Sequence, residues 1–216
     1  MIKTILFDMG GVIFLQDTQE AFRRFTEIGV DARQYIGDYG QKGIFLELEN
    51  GDISDEEFRL AVSNLVNKEL PWPEVQHCWL GFLKSVPPER LENLLKLRKN
   101  YRVCLASNTN PFIMAYTCGN GFSGDGHGIG HYFDRLYCSY EMGICKPDKE
   151  FFSRILESEE VAPHEVVFVD DSQKNIAAAE ALGIRGLWVA PDQDWMNGLE
   201  EILNDTTVFK SGSFML

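Results

Sequence analysis

Five short apolar runs, each too short for a buried helix, punctuate this chain and limit what it can fold into. They are IKTILF at 2–7, YRVCLA at 101–106, RLYCS at 135–139, EVVFV at 165–169 and RGLWVA at 185–190. Near-continuous apolar runs of this length read as strands covered on both faces. Helical segments separate the later ones. PPERLENLLKLRKN at 87–100 opens on proline, carries leucines at helical spacing and runs straight into the second strand. PDKEFFSRILE at 147–157 precedes the fourth, and SQKNIAAAEALG at 172–183 opens on a serine cap and closes on Gly183, a left-handed stop. Strands alternating with helices predict an α/β fold with an open parallel sheet and helices on both faces.

One interval breaks the alternation. Residues 15–86 contain no convincing strand, only amphipathic segments, which predicts a small all-α cap inserted after the first strand. One of its helices starts at SDEEF, where Ser54 and Glu57 form a capping box ahead of Phe58, Leu60 and Leu65. Trp72 and Trp79 near its end either line a pocket or glue helices together. The stretch from Cys118 to His131 carries six glycines and reads as a flexible loop, and KSGSFML at 210–216 as a loosely held tail.

Composition narrows the partners. The 216 residues suffice for one domain with a substantial insertion. Acids outnumber bases 33 to 20, for a net charge of -13, and no basic run relieves it, so nucleic acid and acidic membrane surfaces are excluded as partners. No apolar run approaches the ~20 residues of a membrane helix, and the first residues start a strand instead of a signal peptide. Five cysteines without a C-x-x-C pair read as reduced thiols in a cytoplasmic protein, monomer or homodimer.

Ligands of an open parallel sheet sit beyond the carboxyl ends of its strands. Strand one ends in Asp8, strand two in Ser107-Asn108-Thr109, and strand four in Asp170-Asp171 with Asn175 one turn on; Lys146-Pro147 follows strand three. A carboxylate can attack a phosphoryl group and split a difficult hydrolysis into two steps. Three acids and a phosphate dianion repel by ~4 kcal/mol per close pair at an effective dielectric of ~20, so a divalent cation is required, and oxygen ligands suit Mg2+. Lys146 would hold the phosphate, with Ser107 and the amides opening its helix as further donors. Each residue also has a plain structural reading, as a helix cap for Asp171 and Ser107 or a surface lysine for Lys146. All four in order, each at a strand end, argue for a site.

The stretches FDMGGV, ASNTN, Lys146-Pro147 and VDDSQKN resemble the four motifs of the haloacid dehalogenase-like superfamily. NGDISDEEF and GICKPDKEFF further resemble its branch of α-D-glucose-1-phosphate phosphatases. The resemblance implies a Rossmann-like three-layer α/β/α core, residues 1–14 and 87–216, with sheet order 5-4-1-2-3, and a helical cap at 15–86. It implies Mg2+ held by Asp8, Asp171 and the backbone carbonyl of Gly10, with Asp170 assisting. Ser107, Asn108 and Lys146 would bind phosphate, and Asp8 would be the nucleophile. The implied activity is hydrolysis of a small phosphate ester, an aldose 1-phosphate favoured, through an aspartyl phosphate.

The pattern departs from the family at Gly10, where the usual second aspartate serves as general acid and base. Glycine keeps the carbonyl ligand and loses a proton donor typically worth ~10²- to 10⁴-fold. That predicts a bias toward good leaving groups. Asp17 is a candidate substitute, its plain reading a solvated loop acid. Gly10 disfavours a mutase and leaves two alternatives open, a silent phosphometabolite-binding protein and a 2-haloacid dehalogenase. Lys42 and Lys68 are not marked out for Schiff-base chemistry, and Cys118, His127, His131, Cys138 and Cys145 match no compact zinc site.

Overall fold

The structure, a computed structural model, describes residues 1–37, 40–190 and 193–205. After β1 (Thr4–Phe7) come a short strand β2 (Leu15–Gln16), α1 (Thr18–Glu27), the antiparallel pair β3 (Ile36–Gly37) and β4 (Gly40–Gln41), and three helices, α2 (Ile44–Asn50), α3 (Asp55–Val66) and α4 (Trp72–Trp79). The chain returns through β5 (Leu83–Ser85) and α5 (Pro88–Leu97) to β6 (Arg102–Ser107), α6 (Pro111–Thr117), β7 (Arg135–Cys138), α7 (Ser139–Met142) and α8 (Lys149–Glu159). It closes with β8 (Val166–Asp170), α9 (Gln173–Glu180), β9 (Arg185–Trp188) and α10 (Met196–Asn204).

The main sheet is parallel, in the order β7-β6-β1-β8-β9. Numbered along the chain and read from the β9 edge this is the expected 5-4-1-2-3, with β1 at the centre and Phe7 level with Leu105 and Val169. The connection from β1 runs to β6 on one side and that from β8 runs to β9 on the other, so the residue after Phe7 opens at the point where strand order reverses.

Side-chain alternation divides the interior into two apolar layers. Ile5, Phe7, Val103, Leu105, Val167 and Val169 face one layer, completed by Leu91 and Leu94 of α5 and Leu199 of α10. Leu6, Cys104, Ala106 and Phe168 face the other, against Phe151, Phe152 and Ile155 of α8 and Ile176 and Ala179 of α9. Burial on both faces is why these strands lack a polar-apolar alternation in sequence.

The interval 15–86 is mostly helical but holds two ribbons where none is expected. β2 pairs antiparallel with β5, bringing entry and exit of the insertion side by side, and β3 pairs with β4. Strands of two or three residues are too short to show a period. The Ser54–Glu57 capping box forms, but Leu60 and Leu65 point to solvent while Phe58 and Val62 face inward. Trp79 does both jobs: it glues the helices, its ring centroid 5.2 Å from Phe45 and 5.7 Å from Phe58, and it lines the cavity over the carboxylate cluster. Ser172 stands at the start of α9 without a side-chain cap bond; its amide donates to Asp170 instead. Gly183 adopts the expected positive φ of 90°.

The glycine-rich stretch is gathered around one carboxylate. Asp125 accepts from Tyr132 Oη at 2.9 Å, from the His127 amide at 3.2 Å and from the Ser123 hydroxyl. The 210–216 tail lies outside the described residues.

Candidate active site

Asp8 continues the β1 ladder, its amide donating to the Val169 carbonyl at 2.9 Å, and so stands beside the end of β8. Carboxylate oxygens of Asp8, Asp170 and Asp171 all lie within 4.8 Å of one another. Lys146, on the loop between α7 and α8, bridges two of them: Nζ donates to Asp8 Oδ1 at 2.8 Å and to Asp170 Oδ2 at 2.7 Å. Asp170 is fully buried beneath, its carboxylate also taking the Ser172 amide at 2.7 Å and Asn175 Nδ2 at 3.1 Å. With that many donors Asp170 fixes the lysine as much as it borders the cluster.

The electrostatics follow from burial and crowding. Burial works against the Lys146 ammonium, but Asp170 and Asp8 outweigh it and hold its pKa above the ordinary value. Burial pushes Asp171 up to about 7, helped by the Asp8 and Asp170 charges. Asp170 rises to about 6 for the same first reason, although Lys146 opposes the shift. One ammonium among three carboxylates leaves a surplus of hard, anionic oxygen, and that donor set fits Mg2+ better than a soft metal.

Among the described residues no other group of three His, Cys, Asp or Glu side chains converges this way. The Cys118, His127, His131, Cys138 and Cys145 set does not assemble; His127 stacks on His131 at 4.0 Å, and the cysteines are free.

The turn after Asp8 depends on two glycines. Gly11 has φ +71°, and a Cβ there would lie 2.3 Å from Asp171 Oδ2, so only glycine lets that carboxylate approach. At Gly10 the constraint is space: a Cβ would fall 1.8 Å from Gln16 Nε2. The Gln16 carboxamide thus fills the room that a side chain at position 10 would take. Buried Arg90 clamps the turn from α5, with Nη1 donating to the carbonyls of Gly11 at 3.1 Å and Val12 at 2.9 Å, and Nη2 to Gln193 at 2.9 Å. Trp195 Nε1 adds a bond to the Val12 carbonyl at 3.1 Å.

The residues expected on phosphate also bond to the protein itself. Ser107 is buried at the cavity wall, its hydroxyl 3.3 Å from the Asn108 carbonyl. Asn108 lines the cavity too, but its side chain is committed to the backbone of Lys146: Oδ1 accepts the Lys146 amide at 2.8 Å and Nδ2 donates to its carbonyl at 2.9 Å. Nor are the amides opening α6 open to a ligand. Asn110 Oδ1 takes those of Phe112 and Ile113, and Ser139 Oγ takes that of Thr109. Asp17 serves as the cap of α1, accepting from the Glu20 amide at 3.0 Å. Lys68 pairs with Glu74 at 3.1 Å, and Lys42 is exposed.

A cavity of about 970 Å³ lies over the cluster, with Asp8, Gly10, Ser107 and Lys146 in its walls beside Gln16, Gln41 and Glu49. Glu49, on α2, is only 7% exposed, and Gln41 Nε2 reaches its Oε1 at 3.3 Å. Burial pushes its carboxyl up to about 7; Asp8 adds to the rise, while Gln41 and Lys146 oppose it. Glu49, Gln16 and Arg90 carry no mark in the sequence.

A family model for haloacid dehalogenase-like hydrolases matches residues 2–183. The chain is 42% identical over 205 residues to the D-ribitol-5-phosphate phosphatase of Bacteroides thetaiotaomicron, covering 94% of this chain and all of that one. A solved structure of a predicted HAD-like family hydrolase from Porphyromonas gingivalis superposes with a TM-score of 0.90 at 35% identity, over 95% of this chain and 99% of that one. A Bacteroides thetaiotaomicron enzyme of the same family, a point variant solved with magnesium and inorganic phosphate, gives 0.86 at 33% identity, over 92% and 99%.

Proposed function

The chain belongs to the haloacid dehalogenase-like hydrolases, and from that premise we propose that it is a Mg2+-dependent phosphatase of a small phosphorylated sugar or sugar alcohol. The observation that carries this reading is the Lys146 ammonium held between Asp8 and Asp170 with Asp171 alongside. It supplies a nucleophile, a phosphate-binding cation and a hard-oxygen metal site at one point.

In this reading Asp8 attacks phosphorus and becomes an aspartyl phosphate, which water then hydrolyses. Lys146 and Ser107 hold the phosphoryl oxygens, and Asn108 holds Lys146 in place. Asp8, Asp171 and the Gly10 carbonyl, with Asp170 beside them, would hold Mg2+, which offsets the repulsion between acids and phosphate. The described residues within 15–86 form the cap over a core of those within 1–14 and 87–216, and the polar cavity wall at Gln16, Gln41 and Glu49 supports a hydroxyl-rich substrate. The D-ribitol-5-phosphate relative favours a polyol or pentose phosphate at least as well as an aldose 1-phosphate.

The test is release of phosphate from p-nitrophenyl phosphate and a panel of sugar and polyol phosphates, with and without Mg2+, and with Asp8→Asn as control. Metal-dependent turnover lost in the variant supports the reading. Phosphate binding without turnover would make the chain a sensor, and metal-free halide release from a 2-haloacid would make it a dehalogenase.

A further inference from the structure

Position 10, where an acid would serve the leaving group, is empty of one, and the neutral Gln16 carboxamide fills its space. Among the described residues lining the cavity, the ionisable groups are Asp8, Glu49, Cys145, Lys146, Asp148 and Asp171. Asp8 and Asp171 belong to the carboxylate cluster, and Lys146 is held cationic by its two ion pairs. Burial pushes the Cys145 thiol up to about 12, out of range for proton transfer at neutral pH. Asp148 caps α8, accepting from the Glu150 amide at 2.9 Å. Glu49 belongs to neither the carboxylate cluster nor a helix cap; its side chain accepts from Gln41 Nε2 at 3.3 Å.

We propose that Glu49 is the proton donor and acceptor of the reaction, supplied from α2 in place of the missing second acid. The inference rests on the phosphatase reading. In an in-line displacement the leaving oxygen lies on the side of phosphorus away from Asp8, in the cavity that Glu49 borders. As Asp8 Oδ bonds to phosphorus and the ester P–O bond breaks, the Glu49 carboxyl gives its proton to the departing alkoxide. The resulting carboxylate takes a proton from the water whose oxygen attacks the aspartyl phosphate, which frees phosphate and restores Asp8. A carboxyl lifted toward neutrality by burial holds both protonation states near working pH, as this exchange needs.

Wild type and Glu49→Gln are compared, with Mg2+, on p-nitrophenyl phosphate and on an alkyl ester such as a pentitol phosphate, by rapid-quench kinetics, with thermal melting to verify the fold. Nitrophenolate needs no proton to leave, so the variant gives a burst of one equivalent at the wild-type rate, followed by turnover slowed about 10²-fold or more. On the alkyl ester it loses a similar factor in kcat with no burst, while KM changes little. Wild type shows a shallow dependence on leaving-group acidity, where Gly10 alone predicts a steep one.

A variant that loses the burst and falls equally on both esters would reduce Glu49 to a structural role. A raised KM with unchanged kcat would make it a substrate contact; either result overturns the proposal. If wild type hydrolyses no phosphate ester at all, the phosphatase reading falls first and this one with it. A wild type that turns over beside an unaffected Glu49→Gln sinks the proposal alone.

Discussion

Asn108 grips Lys146 by both backbone groups at once, accepting its amide at 2.8 Å and donating to its carbonyl at 2.9 Å across 38 positions of sequence. The pair links the end of β6 to the loop that delivers the ammonium to Asp8, so a residue expected on phosphate positions the lysine proposed to bind it. Asn108→Ala removes both bonds and is expected to cost about 1–3 kcal/mol, at about 1 kcal/mol for each hydrogen bond plus any unmet backbone polarity. A displacement of the lysine near 1 Å is worth up to about 10²-fold in rate. The measurement is kcat/KM on p-nitrophenyl phosphate beside a urea melt, and a stable variant of undiminished kcat/KM would deny Asn108 the role.

Gly10 and Gln16 compete for one volume, but the atom in the way is the free end of a flexible side chain. An aspartate at position 10 fits once Gln16 turns aside. In the Glu49→Gln background, Gly10→Asp is therefore expected to recover about 10-fold or more of the lost rate on an alkyl phosphate, part of what general acid catalysis is worth. The same change in wild type gives little, because the proton donor is already present. Rescue absent from the double variant, with its fold intact, would mean that proton transfer is not what Glu49→Gln removes.

The contrast between Asp8 and Glu49 shows what a sequence can carry. Asp8 and Asp171, which meet in one carboxylate cluster, are visible in the sequence because a buried strand must end somewhere and an acid just past that end is a local signal; Lys146 lies eight positions past β7, beyond α7, and only the family resemblance marks it. The sheet order follows from the family resemblance, and the two-sided burial of β1, β6 and β8 accounts for their unbroken apolar runs. Glu49 sits in LELEN, where nothing local sets it apart from Glu47. Its burial is created by packing at long range. Arg90 is hidden likewise among the leucines of α5, since its partners at Gly11 and Val12 lie some 78 positions away. Gln16 falls in a two-residue strand with no period to read.

Gly51, which ends α2 at φ +74°, lies against the Tyr140 carbonyl, only 2.1 Å from where a Cβ would stand. Ala at this site meets two costs. The left-handed conformation costs about 1–2 kcal/mol, and contact with backbone oxygen adds to it because α7 has to shift. Asn tolerates the left-handed region and isolates the second cost. Both variants are expected to lower the urea midpoint, Ala more than Asn, and both to slow turnover because α2 carries Glu49. An Asn variant as stable as wild type would leave φ as the only constraint and remove the argument for close packing between α2 and α7.

Mg2+ and protons are expected to compete at the carboxylate cluster. Asp170 and Asp171 have folded-state values of about 6 and about 7, against 3.8 when unperturbed. Between about pH 4 and 7 the native chain therefore holds protons that the unfolded chain has released. By linkage, stability from these groups is complete below about pH 4 and is lost as pH rises through 6 and 7. This is the reverse of an ion-paired acid, and it reflects carboxylates held together without enough positive charge. A bound divalent cation supplies that charge, and it binds best once the protons have gone. Calorimetric melts with Mg2+ or with chelator at pH 5 and pH 8 check this: the metal-induced rise in Tm is expected to be clearly larger at pH 8. At a concentration 100 times Kd the stabilisation is about 2.7 kcal/mol, and it shrinks at pH 5 as protonation weakens binding. Equal shifts at both pH values would mean that the cluster ionises freely without metal, and that Lys146 already balances it.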